Sequence, residues 1–285
     1  MWRRLLLLAL CAMPALWADV CDGLPASPPK QSGSPESNEP LSFKLSVKSG
    51  GPAFRITVRP LWNADTWFGV DEIHTGDIEV ARCQDGKPLQ VLPIMADQPL
   101  SYAFTFHAED LNFDGYLDFS VVTFFAGTAG YIRSYWVYDP GSGIFIQNEF
   151  TRELRCGSAA VASNCTISCL PAPGGYCAVA AFIDFDADKH EISRKYFGGA
   201  MGGCPNTGEG KGERYRVVNN RLILIHTQEF EVICSNKPVR GGEPSNCGSQ
   251  GGFFQFCAVT VSDLVDGTMR VTEVRRYDFE GHLVK

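Results

Sequence analysis

From Leu41 onward, apolar and polar residues alternate with a period of two. Phe43, Leu45 and Val47, then Phe54, Ile56 and Val58, then Ile78 and Val80 each stand between polar neighbours, with glycine or proline separating the runs. That period sends every second side chain to one face of an extended chain, so these runs predict half-buried strands. Asp85-Gly86, between Ile78 to Cys83 and Pro88 to Leu92, predicts a tight hairpin. Further strands are expected over Tyr102 to His107, Phe119 to Phe125, Tyr131 to Tyr138 and Ile144 to Gln147, with Asp139-Pro140-Gly141-Ser142-Gly143 turning the chain before the last of these. Beyond them, Ala178 to Phe185 turns at Asp186-Ala187-Asp188-Lys189 into Glu191 to Tyr196. Tyr215 to Val218 pairs with Arg221 to Ile225 over Asn219-Asn220, and Phe253 to Val261 with Met269 to Tyr277 across Asp266-Gly267. Nowhere after the N-terminal leader does a three-to-four spacing of apolar residues persist for three turns. The pattern therefore predicts an all-β chain, an antiparallel β-sandwich or an open β-propeller-like domain, as a single unit over residues 41–285.

The ends and the cysteines add a compartment. Arg3 and Arg4 precede an apolar run from Leu5 to Leu16, and Ala18 suits cleavage, so residues 1–18 read as a signal peptide too short to span a bilayer. Residues 19–40, with Pro25, Pro28, Pro29, Pro35 and Pro40 among serines, read as a polar linker with nothing to bury. Cys11 falls in the leader, which leaves ten of the 11 cysteines, an even number, in a chain expected in the periplasm or secreted. Disulfides follow from that setting, their pairing open, with a Cys-rich insertion near 156–177. Zinc at Cys165-x3-Cys169 is the weaker reading, since no second pair and no histidine cluster accompanies it.

The formal charge is -7, and it becomes -9 when Arg3 and Arg4 leave with the signal (-7 minus 2). Nothing in such a chain attracts nucleic acid, and an acidic surface suits a basic partner.

The densest chemistry lies in Asp110-Leu111-Asn112-Phe113-Asp114-Gly115-Tyr116-Leu117-Asp118. Carboxylates at positions one, five and nine, an amide at three and the main-chain carbonyl of Tyr116 at seven can wrap a hard cation. Gly115 supplies the backbone angle the turn requires. Calcium suits so many protein oxygens on a flexible loop better than magnesium does. Position twelve is Val121 where a helix-loop-helix site has glutamate, so the loop feeds a strand. The plain alternative is a metal-free turn rich in Asp and Asn.

Other motifs are weaker. Asp184, Asp186 and Asp188 alternate similarly, but Lys189 stands where glycine is needed and Ile192 where the ninth ligand would be, so a plain turn is favoured. Gly208-x-Gly210-x-Gly212 opens no helix. The five histidines are scattered, and neither a His-Glu-x-x-His nor a Gly-x-Ser-x-Gly is present. No nucleophile or acid/base arrangement declares itself, so the chain is read as a binding protein and not an enzyme.

The loop, the strand after it, Ala126-Gly127-Thr128-Ala129-Gly130-Tyr131, and Tyr135-Trp136-Val137-Tyr138-Asp139-Pro140 with Gly143-Ile144-Phe145 resemble a known bacterial family. It comprises exported calcium-binding immunity proteins that neutralise lysozyme-like effectors of type IV secretion, similar to the periplasmic inhibitors of invertebrate-type lysozyme. The resemblance covers roughly residues 75 to 150, with Arg214 to Ile225 resembling a later strand pair. It implies Ca2+ held by Asp110, Asn112, Asp114, Tyr116 and Asp118, and a peptidoglycan hydrolase as partner. It also implies a blocking loop of Gly127, Thr128, Gly130 and Tyr131, with Tyr131 as aromatic anchor and Thr128 facing a catalytic carboxylate. The ten cysteines and the absent lipidation motif depart from the family pattern. A calcium-stabilised, propeller-like adhesion or carbohydrate-binding module is the alternative; it predicts several copies of the loop, and the sequence holds one good copy and one damaged one.

Overall fold

The computed structural model describes residues 20–26, 40–60, 74–96, 106–125, 131–156, 182–196, 211–235, 253–278 and 281–284. Three antiparallel sheets follow one another along the chain, each a simple meander. The first holds β1 (Leu41–Ser46), β2 (Ala53–Pro60), β3 (His74–Arg82) and β4 (Pro88–Ala96). The second holds β5 (Phe106–Glu109), β6 (Asp118–Phe125), β7 (Tyr131–Asp139) and β8 (Ile144–Ile146). The third holds β9 (Phe182–Asp186), β10 (Glu191–Tyr196), β11 (Lys211–Val218), β12 (Arg221–Ser235), β13 (Phe253–Val265) and β14 (Thr268–Tyr277). The all-β expectation holds. The turns read from sequence also form where expected: Asn219 and Asn220 both take positive φ (51 and 56), which matches the twist of a two-residue hairpin, and Asp266 and Gly267 do the same (51 and 76).

The sheets are stacked. Phe43, Leu45, Phe54, Ile56, Ile78, Val80 and Ile94 of the first sheet pack against Phe119, Val121, Trp136, Tyr138 and Phe145 of the second. On its other face the second sheet presents Tyr135 and Val137 to Ile192 and Val217 of the third. The second sheet is thus a middle layer, and this explains why the residues from Ser134 to Tyr138 are all buried. A strand covered on both faces reads as an unbroken apolar run, which is how Tyr135-Trp136-Val137-Tyr138 appears in the sequence.

One element departs from the all-strand expectation. A two-turn helix, α1 (Glu149–Cys156), follows β8 and wedges Phe150 and Leu154, one turn apart, into the core between second and third sheets. It is too short to leave a three-turn periodicity. Its start is fixed by Asn148, whose Oδ1 accepts from the Thr151 amide at 3.1 Å while Thr151 Oγ1 accepts from the Asn148 amide at 2.8 Å. At its other end Arg194 of β10, 1% exposed, donates Nη2 to the carbonyl oxygen of Leu154 at 2.9 Å. A guanidinium there satisfies a carbonyl that the ending helix leaves open.

The linker expectation needs a correction over residues 20–26. Cys21 is 1% exposed and disulfide-bonded to Cys83 at the end of β3. The Val20 amide also donates to the Cys83 carbonyl at 2.9 Å, and the Lys44 amide to that of Pro25 at 2.8 Å. A covalent bond and two main-chain hydrogen bonds thus hold the segment to the first sheet. Cys234 and Cys257 are disulfide-bonded as well. The expected insertion at 157–177 lies outside the described residues. No helix among the described residues is long and apolar enough to cross a membrane.

Candidate cation loop

The nine residues from Asp110 to Asp118 join β5 to β6, and their own side chains shape them. Asp110 accepts from the Asp114 amide through Oδ1 (3.0 Å) and from the Gly115 amide through Oδ2 (2.8 Å). Asn112 Oδ1 accepts from the Asp114 amide at 3.3 Å, and Asp114 Oδ1 from the Tyr116 amide at 2.9 Å. Asp114 Oδ2 accepts from Asn112 Nδ2 at 2.9 Å. Phe113 (φ 60) and Gly115 (φ 87) supply the left-handed angles that let the main chain curl around these carboxylates. A side chain at Gly115 would find open space, so glycine is required there by its backbone angle and not by crowding.

Asp118 closes the base of the loop. It is fully buried, its Oδ2 accepting from the Leu111 amide (2.9 Å) and its Oδ1 from the Tyr138 amide on β7 (2.7 Å). Burial pushes its carboxyl up to about 8; the Tyr138 and Leu111 amides pull the other way, and the negative charges of Asp114 and Asp110 add to the rise. Among the described residues, none of Asp110, Asp114 and Asp118 enters an ion pair with a basic side chain, and no three His, Cys, Asp or Glu side chains gather as a metal cluster. The sites fit a hard cation by their chemistry: Asp110, Asp114 and the Tyr116 carbonyl offer only oxygen, Asn112 can offer Oδ1, and each carboxylate oxygen keeps acceptor capacity beyond its one amide. Asp118, deeper and doubly bound to main chain, stands in the ninth position, which in such loops often reaches the ion through water.

The same loop touches all three sheets. The Leu117 amide donates to the Val47 carbonyl at the end of β1 (2.7 Å), and the Lys48 ammonium lies 4.7 Å over the Tyr116 ring. Asp118 holds the second sheet through Tyr138, and the Tyr116 and Tyr138 rings sit 5.5 Å apart. Toward the third sheet, Asn112 Nδ2 donates to Asn220 Oδ1 at 3.1 Å, and the Phe113 ring stacks on His190 at 5.1 Å. The His190 carbonyl in turn accepts from the Val217 amide at 3.0 Å. Of the five non-glycine residues with positive φ among those described, Phe113, His190, Asn219 and Asn220 belong to this one junction of turns. Strained backbone persists where the surroundings over-determine it, and here three turns constrain one another.

The remaining candidates separate. Gly127, Thr128 and Gly130 lie outside the described residues. Tyr131 opens β7, its main chain opposite Phe125. Asp186 spends its carboxylate on its own turn, accepting from the Lys189 amide at 3.1 Å and pairing with Lys189 Nζ at 2.6 Å, which holds its carboxyl below the usual range. Residues 187–190 form a turn there. Sequence reasoning singled out Asn220 for its turn chemistry alone; nothing in the sequence places it beside a loop 108 residues away.

Neither a protein-family model nor a curated protein matches the sequence. Among solved structures the chain is similar to a protein described as the structure of a Xanthomonas type IV secretion system related protein. That likeness has a TM-score of 0.45 and 13% identity, over 86% of this chain and 99% of that one.

Proposed function

We propose that this is an exported calcium-binding protein that inhibits a lysozyme-like peptidoglycan hydrolase by placing a loop in its substrate cleft. The observation that carries the calcium half is the loop itself. Three carboxylates lie within nine residues, with no basic side chain paired to them among the described residues, and Asp118 is fully buried at the base of the loop. A divalent ion stabilises such a set, and since the loop meets all three sheets its binding stiffens their junction. The ion does no chemistry in this reading.

The inhibitory half rests on the sequence resemblance and on where Tyr131 falls. It begins a strand whose next buried residues, Ser134 to Tyr138, are gripped between two layers, so a recognition loop entering that strand has a rigid base.

The test is an inhibition assay of a lysozyme-like hydrolase on peptidoglycan, in calcium and in chelator. Inhibition in calcium that weakens with chelator, and falls at least about tenfold in Tyr131→Ala, is the expected result. Full hydrolase activity at saturating wild-type protein, across a panel of such enzymes, removes the inhibitor reading and leaves the calcium reading to its own titration.

A further inference from the structure

We infer that Asn220, in the turn between β11 and β12, is a positioning residue for the calcium loop; this rests on the calcium reading above. Asn112 is the loop residue concerned. The residue is 7% exposed, and its Nδ2 donates to both Asp114 Oδ2 at 2.9 Å and Asn220 Oδ1 at 3.1 Å. An amide can present either oxygen or NH2 to a cation, and only the oxygen attracts it. With Nδ2 tied on both sides, Oδ1 is the end left toward the loop main chain, where it accepts from the Asp114 amide. Asn220 therefore selects the rotamer of Asn112 that can ligate.

The acceptor is itself held. Asn219 and Asn220 occupy a two-residue hairpin with both φ positive, and Val217 just before it is bonded through its amide to His190, whose ring stacks on Phe113 of the loop. Loop and turn are thereby registered directly by the amide bridge and indirectly, through His190, by the stacked rings. Partners of ligating groups commonly set metal affinity without touching the metal.

Asn220→Gly removes the side chain while keeping a residue at ease with φ of 56, and Asn219→Gly does the same to the neighbouring position, which makes no hydrogen bond to the loop. Asn220→Asp restores an acceptor oxygen and tolerates the same backbone. Calcium chloride is titrated calorimetrically into the full chain stripped with chelator, alongside melting midpoints in chelator. Asn220→Gly weakens calcium binding by about tenfold or more, Asn219→Gly changes it by less than about twofold, and Asn220→Asp recovers the affinity. The two glycine variants melt alike in chelator, which separates positioning from a general loosening of the turn. Equal calcium affinity in wild type and Asn220→Gly overturns the inference while the calcium reading stands. An equal loss in both glycine variants also overturns it, by assigning the effect to the turn. A wild-type chain that binds no calcium overturns both.

Discussion

The side-chain amide of Gln90, on β4, bonds both main-chain polar groups of Phe145 on β8: Nε2 donates to the carbonyl and Oε1 accepts from the amide, each at 2.8 Å. One side chain thus imitates a strand at the outer edge of the second sheet and fastens it to the first. The ring of Phe145 lies beneath, against Phe54, Phe119 and Tyr138.

Gln90→Leu leaves the Phe145 amide and carbonyl without these partners at a half-buried seam. It is expected to lower the unfolding free energy by about 1–3 kcal/mol in urea titration, the cost of stranding buried polar groups. An unchanged midpoint shows that water replaces the side chain at no cost.

The Cys21–Cys83 bond closes a separation of 62 residues and anchors the segment around Cys21 to the first sheet. Replacing both cysteines by alanine is expected to reduce stability on the order of 4 kcal/mol from loop-closure entropy alone. The amides of Val20 and Lys44 should then exchange with deuterium far faster than those of β2.

Calcium at a hundredfold excess over its dissociation constant should raise the unfolding free energy by about 2.7 kcal/mol relative to chelator. Asp114→Ala should abolish the difference, because it removes a carboxylate and the acceptor for both the Tyr116 amide and Asn112 Nδ2. Equal melting of wild type in calcium and chelator counts against any ion at this loop.

Asp263 on β13 joins three strands, accepting from Thr272 Oγ1 on β14 at 2.6 Å and meeting His226 Nδ1 on β12 at 2.7 Å. The Thr272 hydroxyl, then His226, hold its carboxyl below the ordinary 3.8. A depressed folded value means that its contribution to stability is present above 3.8 and is lost as pH falls through the lower value. Thr272→Val should move that loss to higher pH, seen as an earlier chemical-shift titration of the Asp263 carboxyl; an unmoved titration shows that the hydroxyl does not act on it.

Asn148→Ala removes the oxygen that caps α1 and should cost roughly 1 kcal/mol. Near-ultraviolet circular dichroism should report the change, because Phe150 and Leu154 of the helix seat against Tyr135.

Most strands were legible because each buries one face, and a one-residue slip would bring polar side chains into the core. Phe43, Leu45, Phe54 and Ile56 show this directly. The hairpins were legible because Asn219-Asn220 and Asp266-Gly267 favour the left-handed angles they adopt. Helix α1 was hidden because, among its described side chains, two turns bury only two large apolar ones, Phe150 and Leu154, too few for a period to emerge. Within the loop, residue types announced the oxygen-rich chemistry, while the division of labour did not: Asp110 and Asp114 organise nearby amides, and Asp118 is committed to Leu111 and Tyr138. The contact with Asn220 depends on how the third sheet stacks on the second, which no local pattern encodes.

From Ser134 to Tyr138 the strand β7 has neighbours on both faces, and that stretch has no surface left to offer a visitor. Anything the molecule grasps near β7 must meet it beyond that stretch, and mutations between Ser134 and Tyr138 will register as lost stability long before they alter what is bound.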